Sequence, residues 1–321
     1  MAKLIVQIPC YNEEMTLSQT VSDIPRQVDG IDEVKILVID DGSTDRTVEV
    51  AEEIGVDYII KNTHNIGLAR TFHEGLVACL SLGADIIVNT DGDNQYKGQD
   101  IPKLIAPILK REAEIVIGDR ETDKIPHFSQ IKKRLQKIGS VVVRMLSGTD
   151  IQDPVSGFRA FSREAAMKMN VLSPFSYTIE TVIQAGKKHI TIKSVPIGTN
   201  PKTRESRLFK SIPKFIERSL STMIRMYTMY HPLRVFFIIG CICILAGLVP
   251  SIRFLFYYLM GEGSGHIQSL ILSAILFIVG FQVLMIALVA DVISFNRKLM
   301  EETLLRVRRI EFDHLLKMGK K

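Results

Sequence analysis

Ala84-Asp85-Ile86-Ile87-Val88-Asn89-Thr90-Asp91-Gly92-Asp93 is the stretch on which the reading of this chain turns. Its apolar positions, interrupted only by Asp85, predict a strand buried in a parallel sheet. At its end the chain presents two carboxylates one residue apart, followed by Asn94 and Gln95. In an open α/β sheet, ligands bind outside the carboxyl ends of the strands, which is where this pair falls. Paired hard oxygens suit Mg²⁺ or Mn²⁺, ions that take carboxylates together with substrate phosphates. The alternative is a solvated turn, since Asp-Gly is among the commonest turn dipeptides.

Upstream and downstream segments favour the first reading. Leu4 to Pro9, Val34 to Ile39, Asp57 to Ile60 and Ile115 to Gly118 read as further strands, with helical spacing between them from about Met15, through Val48–Ile54, over Leu68–Leu82 and near Ile101–Lys110. Ser43 or Thr44 is expected to cap the second of these helices. Strands alternating with helices predict βαβ units and a mostly parallel α/β sheet. Beyond Arg120 the pattern loosens. Ile131–Leu146 looks helical and basic, Thr149–Gly157 is a loop, Phe158–Phe161 and Ile190–Ile197 are strands, and Ile179–Lys187 is a helix.

The last third is of another kind. Val235–Leu259 carries one charge, Arg253, and Ile267–Ala290 carries none. Each exceeds the roughly 20 residues that cross a bilayer as a helix. The short connection Met260–His266 makes them a hairpin, and Arg234, Arg297 and Lys298 at its open end put that end in the cytoplasm. Lys210–Tyr230 has Ile212, Phe215, Ile216, Leu220, Met223 and Ile224 on one side and Lys210, Lys214, Arg218 and Arg225 on the other. That pattern fits a helix lying on a membrane surface, or an ordinary core-facing helix.

The expected domains are therefore 1–200 (catalytic), 201–234 (basic loop and interface helix), 235–296 (hairpin) and 297–321 (cytosolic helix). The chain has 321 residues and a net charge of +5, with 40 basic and 35 acidic side chains, an excess too mild to predict a nucleic-acid partner. The basic residues concentrate between Lys202 and Arg234, next to the apolar spans, which favours anionic headgroups or phosphates. Cys10, Cys79, Cys241 and Cys243 show neither metal nor redox spacing. Leu4–Pro9 is too short for a signal sequence, so the catalytic half is expected on the cytosolic face of the inner (plasma) membrane.

Pro9-Cys10-Tyr11-Asn12-Glu13-Glu14, Val38-Ile39-Asp40-Asp41-Gly42-Ser43-Thr44-Asp45, Asn65-Ile66-Gly67 and Asp91-Gly92-Asp93 together resemble the family 2 glycosyltransferases of GT-A fold. Gln152-Asp153-Pro154-Val155-Ser156-Gly157-Phe158-Arg159 and Arg204-Glu205-Ser206-Arg207 resemble those acting on polyprenyl phosphates: the dolichyl-phosphate mannose synthases and the bacterial undecaprenyl-phosphate glucosyltransferases. The hairpin resembles the bacterial glucosyl branch best. In many relatives the acceptor loop carries Gly-Glu-Ser-Lys or Gly-Thr-Ser-Lys, whereas this chain lacks the Gly and has Arg for Lys.

The resemblance implies a nucleotide-diphosphate sugar held by Pro9, Tyr11, Glu13, Asp41, Asn65, Asp91, Gly92 and Asp93, with Asp40 supporting. It implies Mg²⁺ or Mn²⁺ on Asp91, Asp93 and Gln95, and Asp153 as the catalytic residue, a base or an orienting charge. Arg120, Arg144, Arg204 and Arg207 are its acceptor-phosphate residues, with Arg159 and Glu180 beside them. Asp40 and Asp41 have the alternative of capping the next helix, Asp153 of starting a turn with Pro154, and Arg144 of belonging to a solvated basic face with Lys132, Lys133, Arg134 and Lys137. The implied reaction is inverting transfer of a hexose, glucose from UDP-glucose, to a polyprenyl phosphate in the membrane. Mannose from GDP-mannose, an aminoarabinose donor, and a catalytically idle scaffold serving a flippase are the alternatives. A homo-oligomer, a flippase and a downstream glycosyltransferase are the further partners it leaves open. A processive synthase is disfavoured by two spans only and by the absence of any Trp.

Overall fold

The computed structural model describes residues 2–121, 130–173, 176–201 and 212–318. Arg204 and Arg207 lie outside the described residues, as does most of the basic acceptor loop. Seven strands form one mixed sheet: β1 (Lys3–Cys10), β2 (Glu33–Asp40), β3 (Tyr58–Lys61), β4 (Ile86–Asn89), β5 (Ile115–Asp119), β6 (Arg159–Ser162) and β7 (Ile192–Pro196). Their order is β3-β2-β1-β4-β6-β5-β7. Four pairs run parallel, β1 with β2, β1 with β4, β2 with β3 and β5 with β7. Strand β6 runs antiparallel to both of its neighbours.

That reversal positions the site. A parallel strand offers the rim its following loop; a reversed strand offers its preceding loop. Residues 153–157 therefore arrive at the same rim as the loops after β1, β2, β4 and β5.

Side-chain alternation assigns the two faces of the sheet. Leu4, Val6, Ile8, Ile36, Val38, Ile86, Val88, Val116 and Ala160 pack with α1 (Leu17–Ser22), α2 (Thr47–Glu53) and α4 (Ile101–Leu109). The opposite face carries Ile5, Leu37, Ile39, Ile87, Ile117 and Phe161, all buried, together with the polar Gln7, Asn89 and Arg159. Helices α3 (Leu68–Ser81) and α6 (Arg163–Lys168) contact the sheet, and α7 (Tyr177–Lys187) packs against α3 and α5 (Gln130–Ser147). Helix α2 is capped neither by Ser43 nor by Thr44. It starts after Arg46, while Asp45 Oδ1 accepts from the Thr47 amide at 3.0 Å and Ser43 Oγ accepts from the Asn12 amide at 2.8 Å.

Two compact units are present: residues 1–223 with 305–321, and residues 224–304. Helix α8 (Ile212–Tyr230) leaves Leu220 and Ile224 exposed while Met223 and Met226 are buried, so its apolar residues do not form a single buried stripe. In the second unit α9 (Pro232–Leu259) pairs with the first part of α10 (Ile267–Met318); both are long and apolar enough to cross a membrane. Small residues let the two helices approach. A Cβ on Gly240 would lie 2.8 Å from Leu284, one on Gly280 2.7 Å from Ile244, and Ser273 Oγ donates to the Gly247 carbonyl at 2.8 Å. Arg253 lies over the Tyr257 ring, 6.0 Å from its centroid.

Helix α10 does not end at Ala290; it runs unbroken for 52 residues, and its last turns belong to the first unit. There Arg308 donates to the carbonyls of Met167 and Met169 at 2.9 and 3.0 Å, satisfying orphan groups at the end of α6. Arg309 pairs with Glu164 and Phe312 is buried.

Candidate active site

The loops after β1 and β2 are clasped together. The Asn12 amide donates to Ser43 Oγ and the Thr44 amide donates to Asn12 Oδ1, each at 2.8 Å, with Asn12 itself at φ 57°. Glu13 is buried, its amide donating to Thr47 Oγ1 at 2.8 Å and its carboxylate accepting from Thr16 Oγ1 at 3.1 Å. Thr16 and Thr20 hydroxyls also reach the Gly92 carbonyl at 2.7 and 3.2 Å, tying the carboxylate turn to α1. A Cβ on Gly92 would sit 3.0 Å from Cys10 Sγ and 3.2 Å from Glu13 Cγ, so this turn lies directly on the loop after β1.

Asp41 is buried and does not cap α2. Its two oxygens accept from the amides of Ile66 and Gly67 at 2.8 and 3.0 Å, which fixes the Asn65-Ile66-Gly67 turn. Gly42, at φ +70°, allows the same approach, because a Cβ there would lie 2.6 Å from the His64 backbone. Asp40 accepts from the Ser43 amide and so supports the turn. Pro9, one residue before the end of β1, pairs with Ile39, and Tyr11 is exposed at the rim.

Asp91 and Asp93 stand at the end of β4, where the Gln95 amide donates to Asp93 Oδ1 at 3.2 Å. Withdrawal from solvent, then the Asp93 charge, push the Asp91 pKa up, with Glu13 adding to the effect. Such crowding of like charges suits a hard divalent cation. Among the described residues no group of three His, Cys, Asp or Glu completes a cage, so further ligands would be oxygens of a bound diphosphate.

Across the rim, Asp153 and Arg120 form a forked ion pair, Nε to Oδ2 at 2.7 Å and Nη2 to Oδ1 at 3.0 Å. Their side chains keep only 2% and 12% exposure. Burial works to lower the Arg120 pKa, but Tyr96 and Asp153 raise it above its ordinary value, so the guanidinium stays charged. Arg144 reaches Gln152 at 2.6 Å, next to Asp153 in the chain. Arg159 is fully buried beneath the loop. It donates to the carbonyls of Ser156 and Pro154 at 2.7 and 2.6 Å, and to Thr178 and Thr181 on α7. Burial lowers its pKa to about 10, which leaves it cationic at neutral pH. Glu180 is buried and accepts from the amides of Leu172 and Ser173 at 3.0 and 2.9 Å, which gives it the task of holding the turn before α7.

Three side chains escape a search for charged motifs: Tyr96, whose hydroxyl accepts from the Gly157 amide at 2.9 Å, and Asn89 and Tyr177 below it. The signal available for Asn89 was a polar residue inside an apolar strand, matched by Gln7 in β1.

A carboxylate pair at the end of a central strand, faced across the rim by a loop from a reversed strand, defines a GT-A glycosyltransferase. The chain belongs to the Glycosyl transferase family 2, matched over residues 5–169. It is 32% identical over 216 residues to a UDP-N-acetylglucosamine–dolichyl-phosphate N-acetylglucosaminyltransferase of Methanococcus voltae, covering 60% of this chain and 83% of the relative. It is 33% identical over 217 residues to a dolichol-phosphate mannosyltransferase of Pyrococcus furiosus, covering 64% and 59%. Among solved structures, glucosyl-3-phosphoglycerate synthase of Mycobacterium tuberculosis with Mn²⁺, UDP-glucose and phosphoglyceric acid superposes with a TM-score of 0.56 at 21% identity, over 70% of this chain and 80% of that one. At that identity the likeness is one of fold.

Proposed function

We propose that this glycosyltransferase moves a hexose from a nucleotide-diphosphate sugar to a polyprenyl monophosphate at the cytosolic membrane face, with inversion, and that UDP-glucose is the donor. The observation that carries the reading is the polarity of the rim: crowded carboxylates on the β4 side, and a charged, buried arginine on the side of the reversed loop. The first suits a cation and a diphosphate, the second an anionic acceptor.

The Asp91 and Asp93 carboxylates would hold Mg²⁺ or Mn²⁺, with Gln95 beside them. Bound there, the ion would supply Lewis-acid neutralisation of the leaving diphosphate. Glu13, Asp41 and the Asn65 turn shape the nucleotide side, Asp41 acting through the two amides that it fixes. A lipid monophosphate is already anionic near neutral pH and needs no strong base. Asp153 therefore orients Arg120 and the approaching phosphate, and its charge faces the positive charge that develops at the anomeric carbon. Arg144 and the Arg204 and Arg207 segment would add to the phosphate pocket. Helix α8 and the α9–α10 hairpin would hold the protein at the membrane, both hairpin ends being cytosolic.

A second reading, mannose from GDP-mannose, draws on the name of the Pyrococcus relative. Incubating the purified protein with radiolabelled nucleotide sugars and a short polyprenyl phosphate decides between them. Transfer from UDP-glucose to the lipid is expected; transfer from GDP-mannose alone would replace the donor, and a label found only in water-soluble product would overturn the lipid acceptor.

A further inference from the structure

Gln7, Asn89 and Arg159 are register partners on β1, β4 and β6, and all three are completely buried. A polar row across the interior of a sheet is costly unless every member finds partners. Asn89 makes three side-chain hydrogen bonds and uses both of its N–H donors. Its Oδ1 accepts from Gln7 Nε2 at 2.9 Å, and its Nδ2 donates to the Gly157 carbonyl at 2.8 Å and to the Tyr177 hydroxyl at 3.2 Å. Tyr177 is itself stacked on Phe72, ring centroids 3.9 Å apart, so the amide is gripped between fixed groups.

One donor contact of Asn89 meets the end of the Asp153–Gly157 loop and the other meets Tyr177 at the start of α7, while its own chain leads two residues on to Asp91. Clearance between the two loops is nil: a Cβ on Gly157 would lie 2.8 Å from Asp91 Oδ2 and 2.9 Å from the Tyr177 hydroxyl. The Gly157 amide is held separately by Tyr96, which follows Asp93 by three residues. Both backbone groups of Gly157 are thus tied to the β4 segment that carries the carboxylate pair.

We infer that Asn89 is a positioning residue for sugar transfer, holding the acceptor-side loop in register with the donor-side carboxylates through the Gly157 carbonyl. It touches neither substrate. The inference rests on the donor and acceptor roles proposed above, and its consequence is specific: loss of the link misplaces Asp153 relative to Asp91 without opening the nucleotide pocket.

The test uses Asn89→Leu, which keeps the shape and removes the amide, in the full-length protein in detergent. Expected is a fall in kcat of about ten- to a hundredfold, the size that a displacement of about 1 Å brings. Donor affinity by calorimetry stays within about threefold of wild type, because binding and turnover report different steps. Ser162→Ala, which removes the side-chain N-cap of α6, serves as a control for general destabilisation. The inference is overturned by a kcat within about threefold of wild type, by a loss no larger than in Ser162→Ala at a matched melting temperature, or by a donor Kd weakened more than about tenfold. Should Asn89→Leu fail to fold, Asn89→Ser reads the same split. Each variant is assayed with whichever donor the wild-type protein uses, so a wild type inactive on every donor would sink the proposed reaction separately.

Discussion

Replacing Arg120 with Met should strip Asp153 of its forked partner while filling the same space. The carboxylate keeps 2% exposure and loses hydrogen bonds of 2.7 and 3.0 Å. Breaking a buried pair from one side costs about 3–5 kcal/mol, and the 12% exposure of Arg120 argues for the lower end. In a catalytic unit of this size, each kcal/mol moves Tm by about 2–4 °C, so a drop of roughly 6–12 °C is expected for a loss near 3 kcal/mol. Asp153→Leu alone should also destabilise, by leaving the guanidinium buried. The double variant Arg120→Met/Asp153→Leu should recover most of the loss, since an apolar pair of similar volume replaces a buried ion pair at little or no cost. Thermal unfolding of the four proteins in detergent gives the cycle, and sugar transfer should be lost in all three variants. Two single losses that simply add in the double variant would refute the coupling, and with it the account of Asp153 as a charge held for Arg120.

Three other outcomes follow from the geometry. Asp93→Asn should abolish transfer, and EDTA should do so reversibly, with activity returning on Mg²⁺ or Mn²⁺; full turnover in chelator would exclude a metal-held diphosphate. His73, on α3, has its pKa lowered to about 4 by burial and then by Arg308. Because the folded pKa lies below the ordinary value of 6.5, the stability that depends on neutral His73 is present above pH 6.5 and lost as pH falls toward 4, to a limit of about 3 kcal/mol. A His73→Gln variant should flatten that part of the Tm-against-pH curve, and an unchanged curve would remove His73 as its cause. A reporter at Ser264 should face away from the cytosol while both termini stay cytosolic in sealed vesicles; a cytosolic Ser264 would refute the hairpin.

The strands were legible because β-branched runs such as Val34–Ile39 and Ile115–Ile117 are bounded by turn residues and buried on both faces. Strand direction was not, since nothing local in Arg159-Ala160-Phe161-Ser162 distinguishes a parallel strand from a reversed one. The carboxylates at the rim announced themselves, but their partners did not. Asp41 meets amides 25 and 26 residues away, and Asp153 meets an arginine 33 residues back. Ser43 looked like a cap because its type favours one, yet tertiary contact with Asn12 took its hydroxyl. The continuation of α10 past Ala290 was equally hidden. Its charged residues read as a separate tail, whereas Arg308 is used against carbonyls of α6.

Strand β6 stands alone between β4 and β5, and β7 joins only through β5. During synthesis β1 to β4 can pair once Asn89 has emerged, but β5 then has no neighbour to join. Asn89 and Arg159, partners in the finished sheet, are about 70 residues apart, a non-local closure of the kind that slows folding. Until it happens, Ile86-Ile87-Val88 is an open edge whose unpaired backbone invites another chain. A nascent chain stalled before Arg159 would thus expose its stickiest strand while lacking half of its catalytic rim, and the pace of translation through residues 90–162 would decide between folding and aggregation.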